Sequence, residues 1–259
     1  MSTDLSSDQQ KIEQKAHKFF KSVFLISGTI VLFFASQLIG VVILVTILSF
    51  LGYDSRESQA LLTDNPGVQF LAILLIESIT IGALWWAHSL RKQPFLKLVG
   101  LGNRPKLSAF GFAALAYVVY FLVLIFTISV VKNLIPAINV DQMQDLGFDS
   151  ASGSSLVFVF LTLVVLPPIA EEIIFRGFLY QRLRDVISIY PAAIITSAIF
   201  ALAHTEFLGD NPLNWIAALD TFILSFFLIF LLQKTKSLWP SIFLHGIKNC
   251  LAFIVLFIL

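Results

Sequence analysis

Charge is what this chain has least of. Of its 259 residues only 13% are Asp, Glu, Lys or Arg, while 58% are hydrophobic. A soluble domain carries about 25% charged and about 45–50% apolar residues. The deficit excludes an ordinary water-soluble globule and points to a polytopic membrane protein. A net charge of +1 leaves no basic footprint, so nucleic acid is not an expected partner. The single cysteine, Cys250, excludes an intrachain disulfide and leaves the redox compartment unmarked. No serine or cysteine stands out as a nucleophile, and no H-E-x-x-H occurs. There is neither an internal repeat nor a low-complexity tract. The polar start MSTDLSSDQQKIEQKAHKFFK runs into an apolar stretch too long for a signal peptide.

What the chain has in abundance is apolar stretch: 26 Phe, with Leu and Ile, in runs suited to lipid-facing helices. Seven runs, near 22–52, 68–90, 108–131, 155–181, 190–205, 213–233 and 238–258, are long enough or nearly so to cross a bilayer core of about 30 Å. The first is long and the fifth short. The expected fold is therefore an all-α polytopic membrane helix bundle of about seven transmembrane helices. With the N-terminus inside, Lys11, Lys15, Lys18, Lys21, Arg91, Lys92, Lys97, Arg104, Lys106, Arg182, Arg184, Lys234 and Lys236 lie on inner segments, against Arg56 and Lys132 outside. That asymmetry favours N-in, C-out. The outer loops are acidic instead, with Asp54, Glu57, Asp64, Asp141, Asp145, Asp149, Glu206 and Asp210. Membrane lipid is an expected partner; the basic loop RKQPFLKLVGLGNRPK sets topology or touches anionic lipid.

Against this background, the strongly polar residues inside spans stand out: Glu77, Glu171, Glu172, Arg176, His204, Asp220, His245, Lys248 and Asn249. A charge at mid-bilayer costs about 2.5–3.5 kcal/mol even on the lenient insertion scale, so such groups face protein or a wet cavity. At about 1.5 Å per residue, Glu171 lies roughly 16 Å from the inner face, His204 about 21 Å, His245 about 10 Å and Asn249 about 16 Å. Three helices thus bring a carboxylate, two imidazoles and a carboxamide to one layer. Glu172 and Arg176 are four apart and can pair on one helix face, which leaves Glu171, about 100° around the helix, free for other work. Pro167 and Pro168 remove two backbone donors, and a helix break there would aim a half-helix N-terminus at both glutamates. Phe200 and His204 share the same four-residue spacing, so their rings should pack together. His17 and His88 read as solvated residues near the inner interface.

These residue types suit hydrolysis. A glutamate takes a proton from water, and a carboxamide or imidazolium supports a developing oxyanion. Glu171, His204 and His245 could also hold a divalent metal such as zinc in an open site. Glu77, Asp220 and Lys248 have no evident sequence partner.

The motifs EEIIFR (E-E-x-x-x-R), FALAH (F-x-x-x-H) and FLHGIKN (H-x-x-x-N), in that order, resemble the type II CAAX prenyl endopeptidase family, also called Abi or CPBP, and its prokaryotic members in particular. The resemblance covers residues about 155–255. It implies a multi-helix intramembrane endopeptidase in a cell membrane, acting on a peptide or membrane-protein substrate, in processing, bacteriocin maturation or self-immunity. Members have been described both as metalloproteases and as glutamate-dependent enzymes. Carried over by motif, Glu171 is the general base, Glu172 and Arg176 support it, and His204, His245 and Asn249 orient water and stabilise the tetrahedral intermediate. The chain then divides into residues 1–150, a tail with three transmembrane helices, and 151–259, a catalytic region with four. A transporter or proton relay also uses intramembrane carboxylates and histidines, but expects matched repeats with broken helices. A non-catalytic immunity or scaffold protein of the same fold is the other alternative, and it would be favoured by loss of motif residues; none is lost.

Overall fold

A computed structural model describes residues 7–89, 94–140, 147–148, 151–205 and 214–259 of the chain. The expected outer-loop acids Asp141, Asp145, Asp149, Glu206 and Asp210, and the basic pair Arg91 and Lys92, lie outside the described residues. Every regular element among those described is helical. They are α1 (Ser7–Phe50), α2 (Ser55–Asp64), α3 (Pro66–Ser89), α4 (Phe95–Leu98), α5 (Ser108–Leu134), α6 (Gly153–Arg184), α7 (Ile189–Ala203), α8 (Trp215–Thr235) and α9 (Trp239–Phe257).

Six of these, α1, α3, α5, α6, α8 and α9, are long and apolar enough to cross a membrane, and the chain is a multi-pass membrane protein. The span expected near 190–205 is the exception: α7 has 15 residues, a length of about 22 Å that falls short of the hydrocarbon core. α1 differs in the other direction. It starts at Ser7 rather than near 22, because Gln, Lys, Glu and Ala in the polar tail are good helix formers and carry the helix out of the apolar run. Apolar side chains stay exposed along α1 and α5, among them Phe24, Phe34, Leu122 and Phe126. Such faces suit lipid rather than water.

The main core lies where α6 packs against α1, α3, α7, α8 and α9, with α5 lying on α8 and α9: Phe175, Leu179, Tyr180, Phe200, Leu224, Leu228 and Leu244 are all buried in it. Short α4 and its following turn tie this core to the α8–α9 connection. Leu238 donates its backbone N–H to Gly100, the Trp239 indole donates to Leu101, and the Ser237 hydroxyl donates to Asn103. On the other side of the same turn, Gln181 donates to Leu98. Gly177 meets Val99 so closely that an added Cβ would stand 2.8 Å from the Val99 Cβ and 3.0 Å from its carbonyl oxygen. A glycine is required there because α6 and the turn touch backbone to backbone. These bonds fix the depth at which α9 begins, and so the depth of His245. His88, read as solvated from sequence, is instead buried at the end of α3, with the Arg182 guanidinium 3.4 Å from its Nδ1.

Candidate active site

The prolines of α6 do not break it. The helix runs on from Gly153 to Arg184, but widens into π-helical turns at Leu161–Val165 and again over Glu172–Tyr180. The expected half-helix N-terminus at the glutamates is therefore absent, because a wide turn absorbs the two missing donors without ending the helix. Its consequence lies elsewhere. In an α-helix the carbonyl of Leu163 would accept from residue 167, and in a π-turn from residue 168; both are proline and have no N–H. That carbonyl takes a side-chain donor instead: Asn249 of α9 gives it an N–H at 2.8 Å. A sequence feature of one helix thus fixes a polar residue of another.

Glu172 and Arg176 behave as their spacing predicts. Both are fully buried and the guanidinium lies 2.9 Å from Glu172 Oε1. The Arg176 guanidinium also lies over the Phe200 ring, 4.0 Å from its centroid, a desolvated cation–π contact. The same Glu172 oxygen stands 3.1 Å from Nδ1 of His245. An ionised carboxylate only accepts, so the Nδ1 proton is donated to Glu172, and Nε2 of a neutral His245 carries a lone pair.

His204 reaches the same state by another route. Because α7 ends at Ala203, its last carbonyls lack helical partners. The Phe200 carbonyl accepts from His204 Nδ1 at 2.9 Å, which again leaves Nε2 as the acceptor. The rings of Phe200 and His204 pack with centroids 4.5 Å apart, as their spacing suggested. The short helix, a departure from the expected span, is what delivers an imidazole to the level of Glu171.

Both Nε2 atoms converge on Glu171. They stand 3.6 Å (His204) and 3.8 Å (His245) from its Oε2, beyond direct hydrogen-bond range. That oxygen is buried and makes no hydrogen bond to the protein. The residues open into a pocket of about 340 Å³ lined also by Leu163, Pro167, Thr221, Lys248, Asn249, Ala252, Phe253 and Leu256. The structure thus gathers Glu171, His204, His245 and Asn249 at one pocket, with Glu172 and Arg176 buried behind it. As to the metal expectation for Glu171, His204 and His245, no group of three or more His, Cys, Asp or Glu among the described residues is arranged to hold a metal ion.

Two polar residues left without partners by the sequence find each other here. Lys248 Nζ lies 3.2 Å from Asp220 Oδ2 of α8, and the Tyr120 hydroxyl of α5 donates to Asp220 Oδ1. Tyr120 was not singled out from sequence; the available signal was a pair of phenols, Tyr117 and Tyr120, inside the apolar run of α5. Glu77 of α3 lies apart, in a separate cavity beside Leu166, Ile169 and Ala170 of α6.

The comparisons with known proteins bear on this same region. Residues 153–251 match the family model described as type II CAAX prenyl endopeptidase Rce1-like. That segment is similar to this family. It holds α6, α7, α8 and most of α9, including all six motif residues. A curated protein of Bacillus subtilis strain 168, named "Putative membrane peptidase YdiL", is 33% identical over 85 residues, which are 33% of this chain and 32% of that protein. The match spans about a third of the length of that relative. No solved structure matches the chain.

Proposed function

We propose that this protein is an intramembrane endopeptidase that hydrolyses a peptide bond with a water activated by Glu171. The observation that carries the reading is the unpartnered, buried Oε2 of Glu171 facing two imidazole Nε2 atoms. An ionised carboxylate and two neutral Nε2 atoms are three acceptors without a donor. A water molecule supplies two donor hydrogens to such a cluster while turning its own lone pair outward. The Rce1-like segment and the printed name of the Bacillus relative support the same class.

In this mechanism the scissile carbonyl enters the pocket beside Asn249. Water donates one hydrogen to Glu171 Oε2 and the other to an imidazole Nε2. As its oxygen bonds to the carbonyl carbon, its proton passes to Glu171, and the carbonyl π electrons move to oxygen. The tetrahedral intermediate then collapses. The C–N bond breaks, and Glu171 returns the proton to the departing amine. Glu172, held by Arg176, fixes the His245 tautomer and so keeps its Nε2 turned towards the water. General-base catalysis of this kind contributes about 10²–10⁴-fold. The protein's own groups supply every proton transfer in this sequence. The apolar walls provided by Ala252, Phe253 and Leu256 suit a peptide segment of a membrane-embedded substrate.

The test is purified protein in proteoliposomes, assayed against pools of quenched-fluorescent peptides of mixed sequence. The wild type is expected to cleave at least one pool, and Glu171→Gln to lower that rate at least about 10²-fold while inserting and unfolding like wild type. Equal cleavage by Glu171→Gln, or no cleavage of any pool, would refute the proposal.

A further inference from the structure

The hydrolytic reading leaves one requirement to be assigned in full: negative charge develops on the carbonyl oxygen, and donors beyond a single carboxamide N–H can meet it. The donors on the pocket wall can be counted. His204 and His245 have spent their Nδ1 protons outward, on the Phe200 carbonyl and on Glu172. Their Nε2 atoms receive rather than give. The Thr221 hydroxyl donates back to Ala217 of its own helix. Asn249 has given one of its two N–H bonds to Leu163. Among the described residues, what remains is the second N–H of Asn249 and the ammonium of Lys248. Of the two cations beside the glutamates, Arg176 is sealed behind the pocket at 0% exposure, whereas Lys248 lines the pocket with its side chain 25% exposed.

Lys248 also stands in a suitable place. It is three residues beyond His245 and one before Asn249 on α9, so it shares the helix face that carries the imidazole. Its ammonium carries three hydrogens and is ion-paired with Asp220 at 3.2 Å. Asp220 is itself fixed, since Tyr120 holds its other oxygen. The ammonium is therefore held by an ion pair to a residue on α8 that is in turn anchored from α5, and it lines the pocket with N–H donors to offer. A donor held in place before the reaction costs no reorganisation when charge appears, and that is the condition for electrostatic catalysis.

We propose that Lys248 is a catalytic residue, the cationic donor to the oxyanion, and that Asp220 and Tyr120 are positioning residues that aim it. This rests on the hydrolysis assigned to Glu171. In balance, the carbonyl π pair moves to oxygen as the water oxygen bonds to carbon. That oxygen is held by a Lys248 N–H without taking its proton, and the pair returns to re-form C=O as the C–N bond breaks. The competing account is that Lys248 and Asp220 merely cross-link α9 to α8 and neutralise each other in the membrane.

The two accounts separate in a double variant. The full chain in proteoliposomes is assayed with a peptide that the wild type cleaves and Glu171→Gln does not. Lys248→Met is expected to lower kcat about 10²-fold or more with KM within about threefold, the signature of a contact made only in the transition state. Lys248→Arg, which keeps the charge, recovers most of the rate. Lys248→Met combined with Asp220→Asn strands no charge, so it folds, yet it stays as slow as Lys248→Met. Binding of a peptide phosphonate, a tetrahedral anion, weakens in step with kcat. Recovery of wild-type kcat in the double variant would establish the cross-link and overturn the proposal. So would unchanged phosphonate affinity in Lys248→Met. A wild type that cleaves no peptide refutes the hydrolytic reading itself, and this one with it; a Lys248→Met protein that cleaves at the wild-type rate refutes this one alone.

Discussion

Removing Arg176 alone should be more damaging than removing its charge together with that of its partner. Arg176 and Glu172 are each 0% exposed and 2.9 Å apart, so neither charge has water to fall back on. Deleting one member of such a buried pair costs about 3–5 kcal/mol, because the survivor is left charged and desolvated. In Arg176→Met, Glu172 keeps only the His245 N–H. In Glu172→Gln, the guanidinium keeps its Phe200 face but loses its counter-charge. Each single variant is therefore expected to lose about 3–5 kcal/mol. The double variant Glu172→Gln/Arg176→Met strands no charge. The carboxamide oxygen that then replaces the carboxylate still accepts from His245 Nδ1, so the loss should be smaller than that of either single variant. The coupling energy is then several kcal/mol, well above the roughly 0.3–0.5 kcal/mol scatter of independent sites. Unfolding in mild detergent, followed by intrinsic fluorescence on all four proteins of the cycle, measures it. Additive losses, or single variants as stable as wild type, would show that the pair is solvated and that the buried support assigned to Glu171's neighbour is wrong.

Two further expectations follow from the packing of α6. Gly177→Ala forces a Cβ against the Val99 backbone and should destabilise by about 1–3 kcal/mol, read in the same unfolding assay; a neutral result would show that the α4 turn yields freely. Pro167→Ala offers a backbone N–H to the Leu163 carbonyl and so competes with Asn249 for it. The cleavage rate should fall while stability holds or rises, and a rate unchanged from wild type would separate Asn249 from the chemistry.

Much of the geometry of the candidate site was legible because charge is so scarce. In a chain this apolar each intramembrane ionisable group carries information, and the four-residue spacing of Glu172 and Arg176 was enough to pair them and leave Glu171 over. Depth counting along α6, α7 and α9 brought Glu171, His204, His245 and Asn249 to one layer for the same reason: helix rise is nearly constant, so distance from a helix end is a coordinate. The tail resisted the same treatment, since α1 runs back to Ser7 although its apolar run begins only near residue 22. Propensity, not hydropathy, decides how far a helix extends beyond the membrane.

What the sequence withheld is what depends on one helix meeting another. Asp220, Lys248 and Tyr120 lie on three different helices, and no periodicity joins them. Pro167 and Pro168 suggest a break only as long as a missing donor concerns its own helix alone. The carbonyl that Pro167 and Pro168 leave unsatisfied is instead answered by Asn249 from α9. Likewise α7, judged as a span, looked merely deficient in length; judged as a scaffold, its early end is what frees the Phe200 carbonyl for His204. In each case an unsatisfied backbone group in a low-dielectric setting has to be met, and here a polar side chain of the pocket meets it. The irregularities of α6 and α7 therefore position the site, and restoring regular helix at either place should cost orientation of Asn249 or His204 before it costs the fold.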